Sequence, residues 1–63
     1  MIALTTYDET VRYFNPQQIV SISTYDLGVQ REFQGMTIVY SNGDYTLVRQ
    51  DVDTVRAMIE LSR

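Results

Sequence analysis

Short runs of alternating apolar and polar side chains fill the first 25 positions of the chain, and this pattern predicts half-buried β-strands. The runs cover residues 2–6, 10–14 and 19–25. A polar break between the first two predicts an antiparallel pair joined by a tight turn. After the second run, Asn15 is suited to capping a helical turn and Pro16 to its first position, so we expect one helical turn there.

Asn42-Gly43 is the strongest local signal, because this dipeptide is the preferred centre of a two-residue type I′ hairpin. It joins strands expected over residues 36–40 and 45–49 and fixes their register. We expect the core on one face of this hairpin, which carries the pairs Tyr40–Tyr45, Ile38–Leu47 and Met36–Arg49. The other face is β-branched and half apolar, with Thr37 opposite Val48 and Val39 opposite Thr46. We expect a further element or a second copy of the chain to cover it.

The last residues predict an amphipathic helix that begins after Asp51, a good N-cap residue. Its apolar arc consists of Val52, Val55, Met58 and Ile59, and Leu61 widens it. Its opposite face is charged, as a solvated face should be, and carries Asp53, Arg56, Glu60 and Arg63. Residues 1–63 are therefore expected to form one α+β domain. We expect a small antiparallel sheet of about four or five strands, open or partly closed into a barrel, with the C-terminal helix packed on it.

Composition narrows the range of functions. The 63 residues carry a net charge of −3 and include no histidine, cysteine or lysine. Most enzymes move protons or attack electrophiles with these side chains, and zinc sites use the first two. The eight carboxylates are scattered singly or at turns instead of lying in obvious pairs. We therefore expect no enzyme activity, no metal site and no cofactor.

Residues 26–35 are the least determined segment, because apolar Leu27, Val29 and Phe33 sit there among charges. Either these side chains fold back on the core, or the segment is an exposed contact loop, since binding residues concentrate on loops held by a rigid scaffold. Phe14, Tyr40 and Tyr45 are expected to fill the core. The candidate protein-binding residues are two tyrosines near polar breaks and side chains of this segment: Tyr7, Tyr25, Asp26, Leu27, Val29, Arg31, Glu32 and Phe33.

Four stretches of the chain together suggest a family. They are Met1-Ile2-Ala3-Leu4-Thr5, Asn15-Pro16-Gln17-Gln18-Ile19-Val20-Ser21-Ile22, Asn42-Gly43 and Val48-Arg49-Gln50-Asp51-Val52-Asp53-Thr54-Val55. This combination resembles the flagellar FlbD (swarming-motility) family. Ile22-Ser23-Thr24-Tyr25-Asp26 with Asn42-Gly43-Asp44-Tyr45 is also similar to the KTSC domain, an appendage of larger proteins that also occurs in phages. Both resemblances imply a compact sheet-plus-helix interaction module that is not an enzyme by itself.

Five tyrosines and two phenylalanines make protein docking the leading functional hypothesis, because tyrosine and arginine anchor interfaces. We expect a non-catalytic adaptor or accessory protein that docks onto a larger protein or complex, with self-association into a homo-oligomer as one form of docking. The alternative is a phage-type acidic inhibitor (anti-CRISPR-like) of a host nucleic-acid enzyme or defence complex. Its acidic rim would consist of Asp8, Glu9, Asp26, Glu32 and Asp44.

The remaining expectations concern location. Direct nucleic-acid binding is not expected for a chain with net negative charge. The longest apolar runs are far too short to span a bilayer, and the first residues lack the features of a signal peptide. No membrane partner is therefore predicted, and the cytoplasm is the expected site of action.

Overall fold

The computed structural model describes residues 1–26 and 31–62, and it has the α+β architecture that the pattern predicts. A two-stranded and a three-stranded antiparallel sheet are followed by one C-terminal helix. The strands are β1 (Ile2–Thr5), β2 (Val11–Phe14), β3 (Ile19–Thr24), β4 (Thr37–Ser41) and β5 (Asp44–Val48), and the helix is α1 (Val52–Leu61). Two short 3₁₀ turns, Pro16–Gln18 and Arg31–Phe33, precede β3 and β4.

The backbones of the two sheets are hydrogen-bonded to each other where the chain after β1 runs beside the end of β5. Thr6 and Val48 form an isolated antiparallel bridge. On either side of it the Tyr7 amide donates to the Leu47 carbonyl (3.0 Å), and the Arg49 amide donates to the Thr5 carbonyl (2.7 Å). Within the described residues the strands therefore form two sheets joined by a bridge, and not a closed barrel.

The hairpin between β4 and β5 has the predicted turn and register. Asn42 and Gly43 both have positive φ angles, 55° and 77°, as a type I′ turn requires. Ser41 pairs with Asp44 across the turn. The ladder continues as predicted with Tyr40–Tyr45, Val39–Thr46, Ile38–Leu47 and Thr37–Val48.

The prediction of the core face of this hairpin was wrong for the main core, although Met36 on the predicted face is buried. The buried core includes Val39 and Val48, which lie on the β-branched face. It is completed from three other elements by Ile2, Leu4, Phe14 and Val55. Both the β1–β2 hairpin and α1 therefore pack on this side of the three-stranded sheet. Tyr40 and Tyr45, which were expected in the core, are instead exposed on the opposite side, which we call the outer face.

A β-bulge in β3 allows Ile19 and Ile22, which are three positions apart, to face the core together. The ladder with β4 shifts register between Ile19 and Ser21, so that Val20 is the extra residue and is exposed. Beyond the bulge, Ile22 pairs with Val39. Side chains three positions apart would point to opposite faces of a regular strand. The bulge removes that conflict, and Ile19 and Ile22 both pack against the core.

The helix begins and ends close to its predicted bounds. Asp51 is the N-cap, and its carboxylate accepts a hydrogen bond from the Thr54 amide (2.9 Å). Val55 is buried, and Met58 and Ile59 pack beside it against the core. Leu61 does not widen this arc, since 87% of its surface is exposed. On the solvated face Arg56 and Asp53 form an ion pair (2.9 Å), and Arg63 lies outside the described residues.

The cap at Asp51 makes part of the stability depend on pH. Hydrogen bonds from the side chain and the amide of Thr54 lower the pKa of Asp51 below its usual 3.8. A carboxyl group whose pKa is lowered by folding stabilises the fold above its unfolded pKa, and the effect is lost as the pH falls through the folded pKa. The free energy of unfolding can be measured by urea unfolding, followed by circular dichroism, at a series of pH values from about pH 5 downwards. We expect it to fall less with decreasing pH in Asp51→Asn than in the wild type.

A second variant separates the charge of this cap from its hydrogen bond. Asp51→Ala removes both, so its stability should be lower at neutral pH and its acid dependence should be as shallow as that of Asp51→Asn. If Asp51→Asn kept the full wild-type acid dependence, the ionised cap would not contribute to it.

Candidate protein-docking surface

Three of the predicted binding residues form one aromatic cluster. The Phe33 ring packs edge-on against Tyr7, with ring centroids 5.5 Å apart and planes at 76°. It packs in the same way against Tyr25, at 5.9 Å and 88°. Edge-to-face pairs at these distances are favourable because the positive rim of one ring meets the negative face of the other. The cluster therefore fixes the second 3₁₀ turn between two distant parts of the chain.

Backbone hydrogen bonds hold this cluster beside the sheet. The Tyr25 amide donates to the Met36 carbonyl (2.8 Å), and the Met36 amide donates to the Phe33 carbonyl (3.1 Å). On the other side, the Tyr7 carbonyl accepts a hydrogen bond from the Arg49 guanidinium (2.7 Å). Gly35, with a φ of 86°, makes the bend between the turn and β4. The position of Phe33 is thus set by both flanking strands.

The cluster continues onto the outer face of the three-stranded sheet. Tyr40 and Tyr45 pair there with ring centroids 6.2 Å apart. Ile38 and Leu47 form the next cross-strand pair, and both are half-buried. We call this continuous surface the aromatic platform: Tyr7, Tyr25, Phe33, Ile38, Tyr40, Tyr45 and Leu47. Its three most exposed rings, Tyr7, Tyr40 and Tyr45, show 48%, 42% and 64% of their surface to solvent.

Sequence reasoning placed Tyr40 and Tyr45 in the core because each face of the β4–β5 hairpin is apolar enough to be buried. The missing signal was in β3. Ser21 pairs with Tyr40 and Ser23 with Ile38, so the third strand gives the outer face two small polar residues. Had this pairing been deduced, the face of Tyr40 would have been recognised as the more polar one.

A groove of about 590 Å³ runs along the edge of the platform between Tyr7, Phe33 and Tyr45. Its charged lining consists of Asp8, Arg12 and Asp44. Each of these side chains is held by its neighbours. The Arg12 guanidinium donates to the Thr46 hydroxyl (2.9 Å) and stands 5.2 Å from the centre of the Phe14 ring. The Asp44 carboxylate accepts a hydrogen bond from the Tyr45 amide (2.8 Å).

Asp8 is a charged residue of the groove whose pKa is shifted by hydrogen bonds. Its carboxylate accepts hydrogen bonds from the Thr6 hydroxyl and the Thr10 amide. The bond from Thr6 makes the largest contribution and, with those from Thr10, lowers the pKa of Asp8 below its usual value. Asp8 is therefore ionised at neutral pH. The groove therefore carries charged side chains beside aromatic rings, so it can contact both polar and apolar groups of a ligand.

The other predicted site residues follow Tyr25 in the chain or belong to the second 3₁₀ turn. Asp26, Arg31 and Glu32 are exposed there, next to Tyr25 and Phe33. Leu27 and Val29 lie outside the described residues. All five carboxylates of the predicted acidic rim are exposed, but they are divided between two places. Asp8 and Asp44 line the groove and Glu9 follows Asp8, whereas Asp26 follows Tyr25 and Glu32 lies within the second 3₁₀ turn.

Two further observations bear on ligands and membranes. Across residues 1–26 and 31–62, no group of three or more acidic side chains is arranged to hold a metal ion. Over the same part of the chain, α1 falls short of the length and apolar character needed to cross a membrane.

Comparison with family models, with curated protein sequences and with solved structures gives no match to this chain. The similarity to the FlbD and KTSC families therefore stays a prediction from sequence.

Proposed function

We propose that the chain is a small, non-catalytic protein-interaction module that acts in the cytoplasm by docking its aromatic platform onto another protein. One observation carries this proposal. Five of the seven aromatic residues, from separate parts of the chain, lie on one side of the molecule, outside the buried core. Such a surface is costly to leave in water, and contiguous apolar patches on small proteins commonly mark interaction sites.

The chemistry of the platform also favours docking. Tyrosine rings supply large contact areas together with a hydroxyl group that bonds to a partner, and they lose little conformational entropy because they have few rotatable bonds. The rings are held at the platform by hydrogen-bonded backbone on both sides, so the surface is formed before a partner arrives. Preorganisation of this kind reduces the entropy lost on binding.

Site-specific photocrosslinking tests this proposal. A photoreactive phenylalanine analogue replaces Tyr45 on the platform or, as a matched control, Tyr13 on β2, which is 70% exposed but lies off the platform. After irradiation in an extract of the organism that encodes the chain, we expect discrete crosslinked products from position 45. The same products should be absent or much weaker from position 13.

The pattern of products decides between the hypotheses. Equal products from both positions, or none from position 45, would contradict docking through the platform. Repeating the irradiation at high salt tests the acidic-inhibitor alternative, because screening weakens contacts between exposed charges far more than apolar contacts. Products from position 45 should therefore persist at high salt.

A further inference from the structure

We propose that Asn42 is a site of spontaneous covalent modification, at which the Gly43 nitrogen displaces the side-chain amide, and that the folded hairpin protects this site through its turn and through Gln18. The inference is independent of the proposed function, because it concerns the chemistry of the β4–β5 turn alone. It is carried by the residue that follows Asn42, by the conformation of the turn, and by the hydrogen bond that the Asn42 side chain donates.

The reaction removes the side-chain amide of asparagine, one of the thermolabile residues of proteins. A bond forms between the Gly43 nitrogen and Cγ of Asn42, the Cγ–Nδ2 bond breaks, and the Gly43 amide proton passes to solvent as ammonia leaves. The product is a five-membered succinimide ring. Water opens this ring at Cγ to give aspartate, or at the main-chain carbonyl to give isoaspartate. No electrons are transferred, and the net change is the exchange of ammonia for water.

Gly43 makes the sequence favourable for this reaction. Glycine has no side chain to hinder its nitrogen, and the space around Gly43 is open, since an added Cβ would meet no atom within 4 Å. Asn42 and Gly43 are both exposed, so water reaches the turn. The other asparagine of the chain, Asn15, is followed by Pro16, whose nitrogen carries no hydrogen to give up. The sequence therefore directs the reaction to Asn42.

The type I′ turn keeps the two reacting atoms apart. Asn42 and Gly43 have the positive φ angles of this turn, and its first central residue also has a small positive ψ. At that ψ the Gly43 nitrogen is turned away from the Asn42 Cβ, so the ring cannot close. Closure requires rotation about the Asn42 Cα–C bond, which the pairing of Ser41 with Asp44 opposes. The reaction therefore proceeds only after the turn opens.

Gln18 supplies a second restraint on the same side chain. The Asn42 Nδ2 group donates a hydrogen bond to Gln18 Oε1 (3.1 Å), which lies 24 positions earlier in the chain. Gln18 ends the first 3₁₀ turn, and the next residue, Ile19, pairs with Ser41 beside the hairpin turn. The bond holds the leaving group to a partner outside the turn. Approach of Cγ to the Gly43 nitrogen therefore requires this bond to break.

The isoaspartate product is incompatible with the described hairpin. Its main chain runs through Cβ and Cγ, so the turn gains one backbone atom. A two-residue type I′ turn has no place for this atom, because the twist of its backbone matches that of the flanking strands. Tyr40 and Tyr45 pair next to this turn on the aromatic platform. Modification therefore makes a transient opening of the turn permanent and disrupts the pairing of these two rings.

Incubation of the purified protein in mildly alkaline buffer tests the proposal. Peptide mapping by liquid chromatography and mass spectrometry follows the formation of aspartate and isoaspartate at each asparagine. In guanidinium chloride we expect conversion at Asn42 and none at Asn15, and Gly43→Ala should slow it there, where the fold no longer matters. In native buffer the conversion of Asn42 should be at least about tenfold slower than in guanidinium chloride, because only molecules with an open turn react.

Variants at two neighbouring glutamines test the role of Gln18. Gln18→Ala should speed the native reaction by roughly two- to tenfold, as expected for the loss of one hydrogen bond, and leave the rate in guanidinium chloride unchanged. Gln18→Glu keeps an oxygen that accepts the bond, and it should react at the wild-type rate. Gln17→Ala is the matched control, because Gln17 is exposed in the same 3₁₀ turn and Asn42 donates to Gln18 instead. It should also react at the wild-type rate.

Three results would overturn the inference. Absence of conversion at Asn42 in guanidinium chloride would refute the site itself. Equal rates in native buffer and in guanidinium chloride, with circular dichroism showing a folded protein in the former, would refute protection by the turn. A native rate for Gln18→Ala no higher than that of the wild type would refute the role of Gln18.

Discussion

Leu4→Ala should leave the protein largely unfolded at room temperature. Leu4 is fully buried at the centre of the core, where strands of both sheets and α1 meet. Truncation of a buried leucine costs roughly 2–5 kcal/mol, from lost burial and from the cavity that remains. A domain of this size has a total stability of only a few kcal/mol, so the loss is comparable to the whole.

The same substitution at an exposed leucine is the matched control. Leu61→Ala changes the same side chain in the last turn of α1, where it is almost entirely exposed, and should alter the free energy of unfolding by no more than about 0.5 kcal/mol. Urea and thermal unfolding followed by circular dichroism would compare the two variants. Equal stability in both would show that Leu4 is not at the centre of the core.

A carboxylate introduced at two adjacent positions of β4 should have opposite outcomes. Val39→Asp places a charge in the core, where it has neither solvent nor a partner, and should abolish folding. Tyr40→Asp places the same charge on the partly exposed outer face. It should cost about 1 kcal/mol, mainly through the lost pair with Tyr45 and the poor strand propensity of aspartate.

This pair of variants tests which face of the sheet is buried. Neighbouring residues of a strand point to opposite faces, so a core on the Tyr40 side would reverse the two results. Far-UV circular dichroism and the dispersion of amide signals in a proton–nitrogen NMR spectrum distinguish a folded from an unfolded variant. A folded Val39→Asp would contradict the described core.

The sequence predicted local structure correctly where a residue type is favoured at a turn or a helix end by its own backbone conformation or hydrogen bonding. Asn42-Gly43 tolerates the positive φ angles of the turn, and Asp51 satisfies free amides at the start of α1. Pro16 likewise begins the predicted helical turn. Each of these depends on neighbours within four residues, which the sequence displays directly.

Which face of the three-stranded sheet is buried could not be predicted, because contacts between distant segments decide it. Side chains on both faces of β4 and β5 are apolar enough for a core, and periodicity alone does not choose between them. The choice is made by the β1–β2 hairpin and α1, which bring Leu4, Phe14 and Val55 to one side. The aromatic cluster was predicted in part for the same reason: exposure of Tyr7 follows from its turn, but its contact with Phe33 depends on the tertiary fold.

The bulge at Val20 also interrupts the free edge of the three-stranded sheet. β3 is the last strand of its sheet, and a regular outer strand offers unpaired backbone groups to any other extended chain. The bulge interrupts the spacing of those groups, so an incoming strand cannot pair along the full length of β3. Open-ended stacking of sheets edge to edge is thereby disfavoured.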